Sequence, residues 1–230
     1  MATYYSPKII TDGLVFCIDA GNPKSYIGSG TAWTDLSGNQ STCVSSGGPV
    51  FGTDGKGSFL FDAVDDMFIS PENSVFNTQT PSVEVWIKTN ATTQNGFFFE
   101  KGNVNSQYSL FQEGGYIQWR QYFSSGQGLT NLSTVTSNYI STSNWAHVVG
   151  TFTSGTRRLY INGVLVNSDS QSGTINTNAN GISIGVFGGY NGARGYYYNG
   201  RIGSVRVYNR VLTQEEVLQN YNVSKTRFGI

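Results

Sequence analysis

The sequence predicts an all-β sandwich closed by one short C-terminal helix. Charged residues make up only 12% of the 230 residues, whereas an average soluble protein has about 25%. Aromatic residues make up 14%, and there are 29 glycines. Such a composition suits many short strands joined by tight turns. Since sandwiches of this length commonly form one domain, we predict a single domain at 14–222, between an N-terminal arm (1–13) and a C-terminal tail (223–230).

Strand signals follow one another along most of the chain. Apolar or alternating runs that predict strands occur at residues 14–18, 58–62, 67–69, 82–88, 96–100, 108–111, 116–120 and 145–149. In the run 82–88, the alternation places Val83, Val85 and Ile87 on one face. The run 96–100 has no clear period and predicts burial on both faces.

The clearest turn signal is Asn162-Gly163, the preferred pair for a type I′ turn. It predicts a hairpin between 158–161 and 164–166. The single helix signal is a capping box, with Thr213 as N-cap and Glu216 three residues later. Segments rich in Ser, Thr, Asn and Gly predict surface loops at 89–95, 124–143 and 167–180. Residues 112–115 predict a hairpin loop between the runs 108–111 and 116–120.

Charge and hydropathy exclude several classes of function. Fourteen basic and fourteen acidic residues give zero net charge without a basic stripe, so we expect no nucleic-acid binding. No apolar run approaches the roughly 20 residues that span a membrane, and the N-terminus lacks a secretory signal pattern. We therefore expect synthesis in a cytoplasm and no membrane insertion. Cys17 reads as a small buried hydrophobe, while a Cys17–Cys43 bridge stays open.

Several segments together resemble a known family. They are residues 59–66, 82–87, 144–149, 159–163 and 187–221. In this order they resemble the laminin-G-like, pentraxin-like domains of the concanavalin A-like type. The resemblance implies a two-sheet antiparallel jelly-roll over residues 14–221. One departure is Ala63, where such domains usually carry Gly after the Phe-Asp pair.

The N-terminal segment resembles a narrower group. Residues 13–26, followed by 33–38, look like an opening common in phage structural proteins. This resemblance implies a place in a phage particle, with other virion proteins as partners and with homo-oligomers as a further expectation.

The sequence predicts no catalytic site. Glucanases of this fold need two carboxylates at alternate positions of one strand, but Glu84 is followed by Trp86 and Lys88. We interpret Glu84 as a paired or solvent-facing residue. The single histidine, His147, lies inside a strand signal and is interpreted as scaffold.

An acidic turn offers hard oxygen ligands. Asp62, Asp65 and Asp66 lie close together in sequence, and carboxylate oxygens are ligands that Ca²⁺ prefers. Two interpretations stay open for this turn, a structural role and a Ca²⁺ site.

The candidate ligand-binding residues are aromatic, amide and arginine side chains in two clusters. Sugar-binding surfaces combine apolar faces with a few placed polar groups. The candidates are Tyr190, Asn191, Arg194, Tyr196, Tyr197 and Tyr198 in one loop, with Trp119 and Tyr122 in a second cluster. The alternative for both clusters is a strand whose aromatic side chains fill the core.

The leading functional expectation is a non-enzymatic module of a phage particle that binds host glycans or neighbouring virion proteins. Three alternatives stay open: a purely structural virion protein, a cellular carbohydrate-binding protein and a glycan-active enzyme.

Overall fold

The chain folds as a two-sheet antiparallel jelly-roll sandwich with one short C-terminal helix, as predicted. The computed structural model describes residues 8–102, 107–124, 128–188 and 194–230. Within those ranges the strands are β1 (Leu14–Asp19), β2 (Ala32–Trp33), β3 (Cys43–Ser46), β4 (Val50–Gly52), β5 (Ser58–Asp62), β6 (Met67–Ile69), β7 (Ser82–Thr89), β8 (Gly96–Lys101), β9 (Tyr108–Glu113), β10 (Tyr116–Phe123), β11 (Gly128–Val135), β12 (Ala146–Thr153), β13 (Thr156–Ile161), β14 (Val164–Asp169), β15 (Ile182–Ile184) and β16 (Asn199–Tyr208). The helix α1 spans Gln214–Ser224, and 3₁₀ turns lie at Asp54–Lys56, Ser74–Phe76, Thr136–Asn138 and Lys225–Phe228.

Each sheet contains eight of the described strands. Sheet A has the order β14-β13-β12-β7-β16-β5-β4, with β1 paired to β16, and sheet B has the order β11-β10-β9-β8-β15-β6-β3-β2. Val83, Val85 and Ile87 point into the core between the sheets, as their alternation predicts. The opposite side of β7 carries Glu84, Trp86 and Lys88, so these side chains lie on the outer face of sheet A.

Two local predictions from turn and cap chemistry are confirmed. Asn162 and Gly163 both have positive φ, 52° and 78°, and join β13 to β14. The Thr213 side chain accepts from the Glu216 amide, and the Glu216 side chain accepts from the Thr213 amide, which completes the capping box of α1.

Some segments predicted as loops are strands. β11 lies inside the predicted loop 124–143 and pairs with β10 along its whole length. β14 likewise extends to Asp169, inside the predicted loop 167–180. The loop between β9 and β10 shortens to Gly114-Gly115, both with positive φ. Polar edge strands lack the apolar alternation that marks a half-buried strand, which explains these differences.

The segment 223–230, predicted as a tail, packs onto the domain. Phe228 is buried and stacks on Trp86 of β7, with ring centroids 4.2 Å apart. Arg227 donates to the Gly55 carbonyl over 2.8 Å and pairs with Asp19 over 2.5 Å. The buried Phe228 ring therefore makes residues beyond 222 part of the packed domain.

The two cysteines are both buried and free. Burial raises the pKa of each thiol. None of the helices within the described residues has the length and apolar character needed to cross a membrane.

Candidate binding surface

A cluster of aromatic rings and one arginine lies on the outer face of sheet B. We call it the aromatic–arginine patch, and it comprises Phe97, Phe111, Arg120, Phe187 and Tyr196. Phe97 and Phe111 are opposite each other on β8 and β9. A register shift around Phe98 lets β8 place Phe98 and Phe99 in the core while Phe97 faces outward. The patch therefore depends on a local irregularity of β8.

The rings of the patch form a packed platform. Phe97 and Phe111 stack with centroids 4.3 Å apart and planes at 8°. Phe187 lies 5.0 Å from Phe97. The Arg120 guanidinium carbon lies 4.1 Å from the centre of the Phe111 ring, a cation–π arrangement that contributes roughly 0.5–2 kcal/mol.

Tyr196 presents the accessible part of this platform. Its side chain is 47% exposed, and its ring centroid lies 6.0 Å from that of Phe187. Its carbonyl accepts from the Phe97 amide over 3.1 Å, which ties the loop to β8. Its φ of 50° is left-handed, a conformation that costs a non-glycine residue roughly 1–2 kcal/mol. A half-exposed tyrosine held in this way offers a prepared stacking face.

Polar groups surround the rings. Arg120 Nε donates to Asn131 Oδ1 over 2.8 Å, and its Nη2 lies 3.7 Å from Glu113 Oε2. Burial lowers the pKa of Arg120, while the charge of Glu113 opposes that shift. Ser109 Oγ and Gln118 Oε1 are buried without a hydrogen-bond partner among the described residues. Phe97 and Phe111 are buried, so Tyr196 is the exposed ring of the patch, with the partly buried Arg120 and Phe187 beside it. An exposed ring beside donors and acceptors suits a hydroxylated ligand.

The structure separates the residues predicted from the sequence. Tyr196 is part of the patch, and Tyr122 follows Arg120 by two residues on β10, which places it on the same face. Arg194 is exposed and Tyr197 half-buried in the adjoining segment. Tyr190 and Asn191 lie outside the described residues.

Trp119 and Tyr198 occupy the core instead. Both are fully buried, and Trp119 Nε1 donates to the Thr151 carbonyl over 3.1 Å between the sheets. Both side chains fill the core, as the alternative interpretation of the two clusters expected. A ligand at the surface does not reach them.

Three members of the patch, Phe97, Phe111 and Phe187, are not among the candidates predicted from the sequence, and Arg120 is predicted only as part of the second cluster with Trp119 and Tyr122. Phe97 and Phe111 lie in predicted strands, but the sequence does not predict which side of the sheet each side chain faces. Phe187 is predicted only as part of the segment 187–221 that resembles the family. The alternation in β10 could have placed Arg120 on the outer face, because Trp119 is the large apolar residue of that strand. Nothing local predicts that these four side chains meet Tyr196.

The acidic turn between β5 and β6 brings its three carboxylates together. One oxygen from each of Asp62, Asp65 and Asp66 lies within 4.8 Å of the others. Burial, aided by the charges of Asp62 and Asp65, raises the pKa of Asp66 to about 6. Ca²⁺ would suit these oxygen ligands. Its binding here stays a prediction, which titration calorimetry with Ca²⁺ on chelator-treated protein would check.

Residues 61–218 match the family model of the concanavalin A-like lectin/glucanases superfamily. The chain belongs to that superfamily. No curated protein sequence matches the chain at a significant level.

Solved structures of similar fold include binding domains of bacterial toxins. The binding domain of Paraclostridial Mosquitocidal Protein 1 gives a TM-score of 0.71 at 20% identity, over 92% of this chain and 52% of that one. The binding domain of botulinum neurotoxin DC in complex with rat synaptotagmin II gives 0.71 at 15%, over 94% and 52%. The same domain in complex with SialylT gives 0.70 at 15%, over 93% and 52%. The chain spans about half the length of these structures, and the likeness concerns the fold.

The superfamily includes glucanases. A catalytic carboxyl must be able to reach a substrate, so we compare that requirement with the contacts of Glu84. Glu84 is buried and forms an ion pair with Arg206. Asn220 of α1 donates to its Oε2 over 2.7 Å, and His147 Nε2 lies 3.2 Å from its Oε1. Burial alone would raise the pKa of Glu84, but Arg206 and His147 outweigh it and hold the pKa at about 2.

This group, the Glu84 cluster, comprises Glu84, His147, Arg206, Tyr208 and Asn220. It lies between sheet A and α1, and all five side chains are buried. Asn220 also donates to the Tyr208 hydroxyl over 3.0 Å. The expectation that Glu84 is a paired residue is confirmed. In this position the carboxylate binds protein groups on both oxygens and supports α1.

Proposed function

We propose that the chain is a non-catalytic binding module whose aromatic–arginine patch binds a glycan. The observation that carries this proposal is Tyr196, half-exposed and held over Phe97 and Phe187 beside Arg120. Sugar rings stack on such aromatic faces, and their hydroxyls bond to amide, carboxylate and guanidinium groups. Membership of a superfamily that includes lectins supports the same function.

Two further observations favour binding over catalysis. Both oxygens of Glu84 bind protein groups beneath α1. The similar solved structures include binding domains, and one of these is in complex with SialylT. A glycan or a protein receptor is therefore the class of partner that we propose.

The biological setting that we propose is a phage particle. The basis is the resemblance of residues 13–26 and 33–38 to the opening of phage structural proteins. In that setting the module contacts other virion proteins and presents the patch to host-cell glycans. Mass spectrometry of purified particles checks this, and absence of the protein from the particles would refute the particle role.

The experiment for the patch is a glycan array with three proteins: the wild type, Tyr196→Ala and Tyr116→Ala. Tyr116 is 46% exposed at the far end of β10 and provides a control matched in chemistry and exposure. We expect Tyr196→Ala to weaken binding roughly tenfold or more, about 1.4 kcal/mol, while Tyr116→Ala binds as the wild type does.

Two results would count against parts of the proposal. An array without signal for the wild type removes glycan binding and leaves a structural role, in which Tyr196 is buried between subunits. Light scattering that shows a tight oligomer would support that alternative. Equal loss in both tyrosine variants would show that the patch is not the binding surface.

A further inference from the structure

A concave site lies apart from the patch and is lined by none of its residues. It is a cleft of about 580 Å³ at the outer face of sheet A, within the range of roughly 300–1,000 Å³ usual for ligand pockets. It is lined by Asp54 of the 3₁₀ turn Asp54–Lys56, the end of β7, the connection 138–145 that leads into β12, the β13–β14 turn and the C-terminal segment. Five separate segments thus meet at one cleft.

One wall of the cleft is aromatic and tightly packed. Trp145 and Phe228 lie with ring centroids 4.8 Å apart, and Phe228 in turn stacks on Trp86. A Cβ on Gly55 would lie 2.8 Å from the Phe228 ring and 2.9 Å from that of Trp145. The chain therefore needs glycine at this place for the two rings to pack, and the wall is preorganised.

The floor of the cleft is the carboxylate of Asp54, whose charge is balanced by nearby cationic side chains. Asp54 accepts from Trp145 Nε1 over 2.9 Å and from Lys88 Nζ over 3.0 Å, and Arg201 Nε lies 3.6 Å away. Burial would raise the pKa of Asp54, but these three donors outweigh it and lower the pKa. Since the carboxylate is bound by cationic groups of the protein, the floor does not resemble a metal site.

The rim supplies exposed neutral hydrogen-bonding groups. They are Asn138, Tyr139, Ser141, Ser143 and Asn144. The Tyr139 side chain is 41% exposed. Asn162 uses its Oδ1 to accept from the His147 amide over 2.9 Å, which leaves its Nδ2 without a partner among the described residues and able to donate toward the cleft.

We infer that this cleft is a second saccharide site, separate from the aromatic–arginine patch. Amide and hydroxyl groups both donate and accept, as the alternating hydroxyls of a sugar require. The exposed ring of Tyr139 provides apolar surface for the C–H face of a sugar ring. Trp145 and Phe228 line the cleft as a rigid wall, although they are only 4% and 5% exposed. The neutral rim and the compensated floor favour a short oligosaccharide over a nucleotide or a metal ion.

The test measures ligand binding at the cleft through the ¹⁹F signal of labelled Trp145, which lines it. The protein has four tryptophans. Trp145 lines the cleft, Trp86 lies behind the Phe228 ring, and Trp33 and Trp119 are fully buried and do not line it. Protein labelled with 5-fluorotryptophan therefore gives four ¹⁹F signals, and a Trp145→Phe variant assigns the one of interest. Lactose, maltotriose, chitotriose and sialyllactose are titrated at millimolar concentrations.

We expect at least one of these sugars to shift the Trp145 signal in a saturable manner. Tyr139→Ala and Asn144→Ala should each raise the Kd roughly tenfold, because each removes a group from the rim. Both positions are exposed, so the variants should fold normally, and the dispersion of the other three signals verifies it. Tyr116→Ala, at a residue that does not line the cleft, should leave the Kd unchanged.

The outcomes separate this site from the patch. If no sugar moves the Trp145 signal, the cleft inference is overturned, whatever the glycan array shows. If the signal shifts but Tyr139→Ala and Asn144→Ala bind like the wild type, the cleft is again excluded as the contact site. If Trp145 responds while the array result is insensitive to Tyr196→Ala, the cleft stands and the patch falls.

Discussion

At the scale of single residues, Glu84 is a buried, ionised carboxylate whose charge is compensated by Arg206 and by a hydrogen bond from Asn220. The strand pattern of β7 gives this carboxylate an outward direction, which sheet geometry confirms. Its burial comes from α1, which begins 130 residues later in the chain. Removal of one member of a buried ion pair commonly costs about 3–5 kcal/mol because the other charge stays uncompensated.

We predict that Glu84→Gln alters how stability depends on pH. The pKa of Glu84 is about 2 in the folded protein, below its ordinary 4.5. Its contribution is therefore present above about pH 4.5 and is lost as the pH falls toward 2. The variant, which leaves Arg206 unpaired, should be about 3–5 kcal/mol less stable at pH 7, and its stability should decline less between pH 5 and 3.

Urea unfolding at pH 7, 5 and 3 measures both effects. Glu72→Gln provides the control, because Glu72 is exposed and lies outside the Glu84 cluster; this variant should lose much less stability at pH 7 than Glu84→Gln does. A profile for Glu84→Gln parallel to that of the wild type would show that Glu84 is not the titrating group.

The sequence predicts a residue of the candidate site only where the local segment is unusually rich in one residue type. Tyr196 stands in a segment dense in tyrosine, and the sequence selects it on that ground. Phe97, Phe111 and Phe187 are distributed over 91 positions, and only strand pairing brings them together. Trp119 and Tyr198 show the opposite error, since an aromatic residue near a loop can equally face the core.

At the scale of elements, turn and cap chemistry were predicted well. The Asn162-Gly163 hairpin and the Thr213 capping box follow from local stereochemistry, which needs no knowledge of the rest of the chain. β11 was missed because its residues are mostly polar and its pairing with β10 is a long-range fact. The cleft was missed for a related reason, since five distant segments build it.

The turn after β5 supplies a prediction of its own. Ala63 has a φ of 69°, a left-handed conformation that costs a non-glycine residue roughly 1–2 kcal/mol. Glycine relieves that strain but adds entropy to the unfolded chain, worth roughly 0.4–1 kcal/mol. We therefore expect Ala63→Gly to stabilise the protein by about 0.5–1 kcal/mol, measured by urea unfolding at neutral pH.

The control for this turn is the same chemical change at an ordinary backbone position. Ala32 is exposed in β2 and does not have a positive φ. Ala32→Gly should destabilise the protein by roughly 0.5–1 kcal/mol. Opposite signs for the two substitutions identify backbone strain as the cause, whereas destabilisation by both would exclude strain at Ala63.

At the scale of the whole molecule, the two outer faces of the sandwich differ in their covering. On sheet A, α1 and the C-terminal segment cover the Glu84 cluster and the Trp86 ring, and the cleft opens beside them. On sheet B, the patch lies beside the segment that carries Tyr196. The two proposed sites share no residue, which would allow one module to contact two glycan chains and gain avidity.

The extent of the domain gives the last prediction. Phe228 lies beyond the boundary predicted from the sequence, yet it packs between Trp86 and Trp145. Truncation of a buried aromatic side chain typically costs about 3–5 kcal/mol, so Phe228→Ala should destabilise the domain by that amount in urea unfolding. Ile27→Ala, at a side chain that is 81% exposed, should change stability by less than about 0.5 kcal/mol. Equal, small effects from both substitutions would restore the domain boundary to residue 222, because a tail without packing contributes nothing to the stability of the fold.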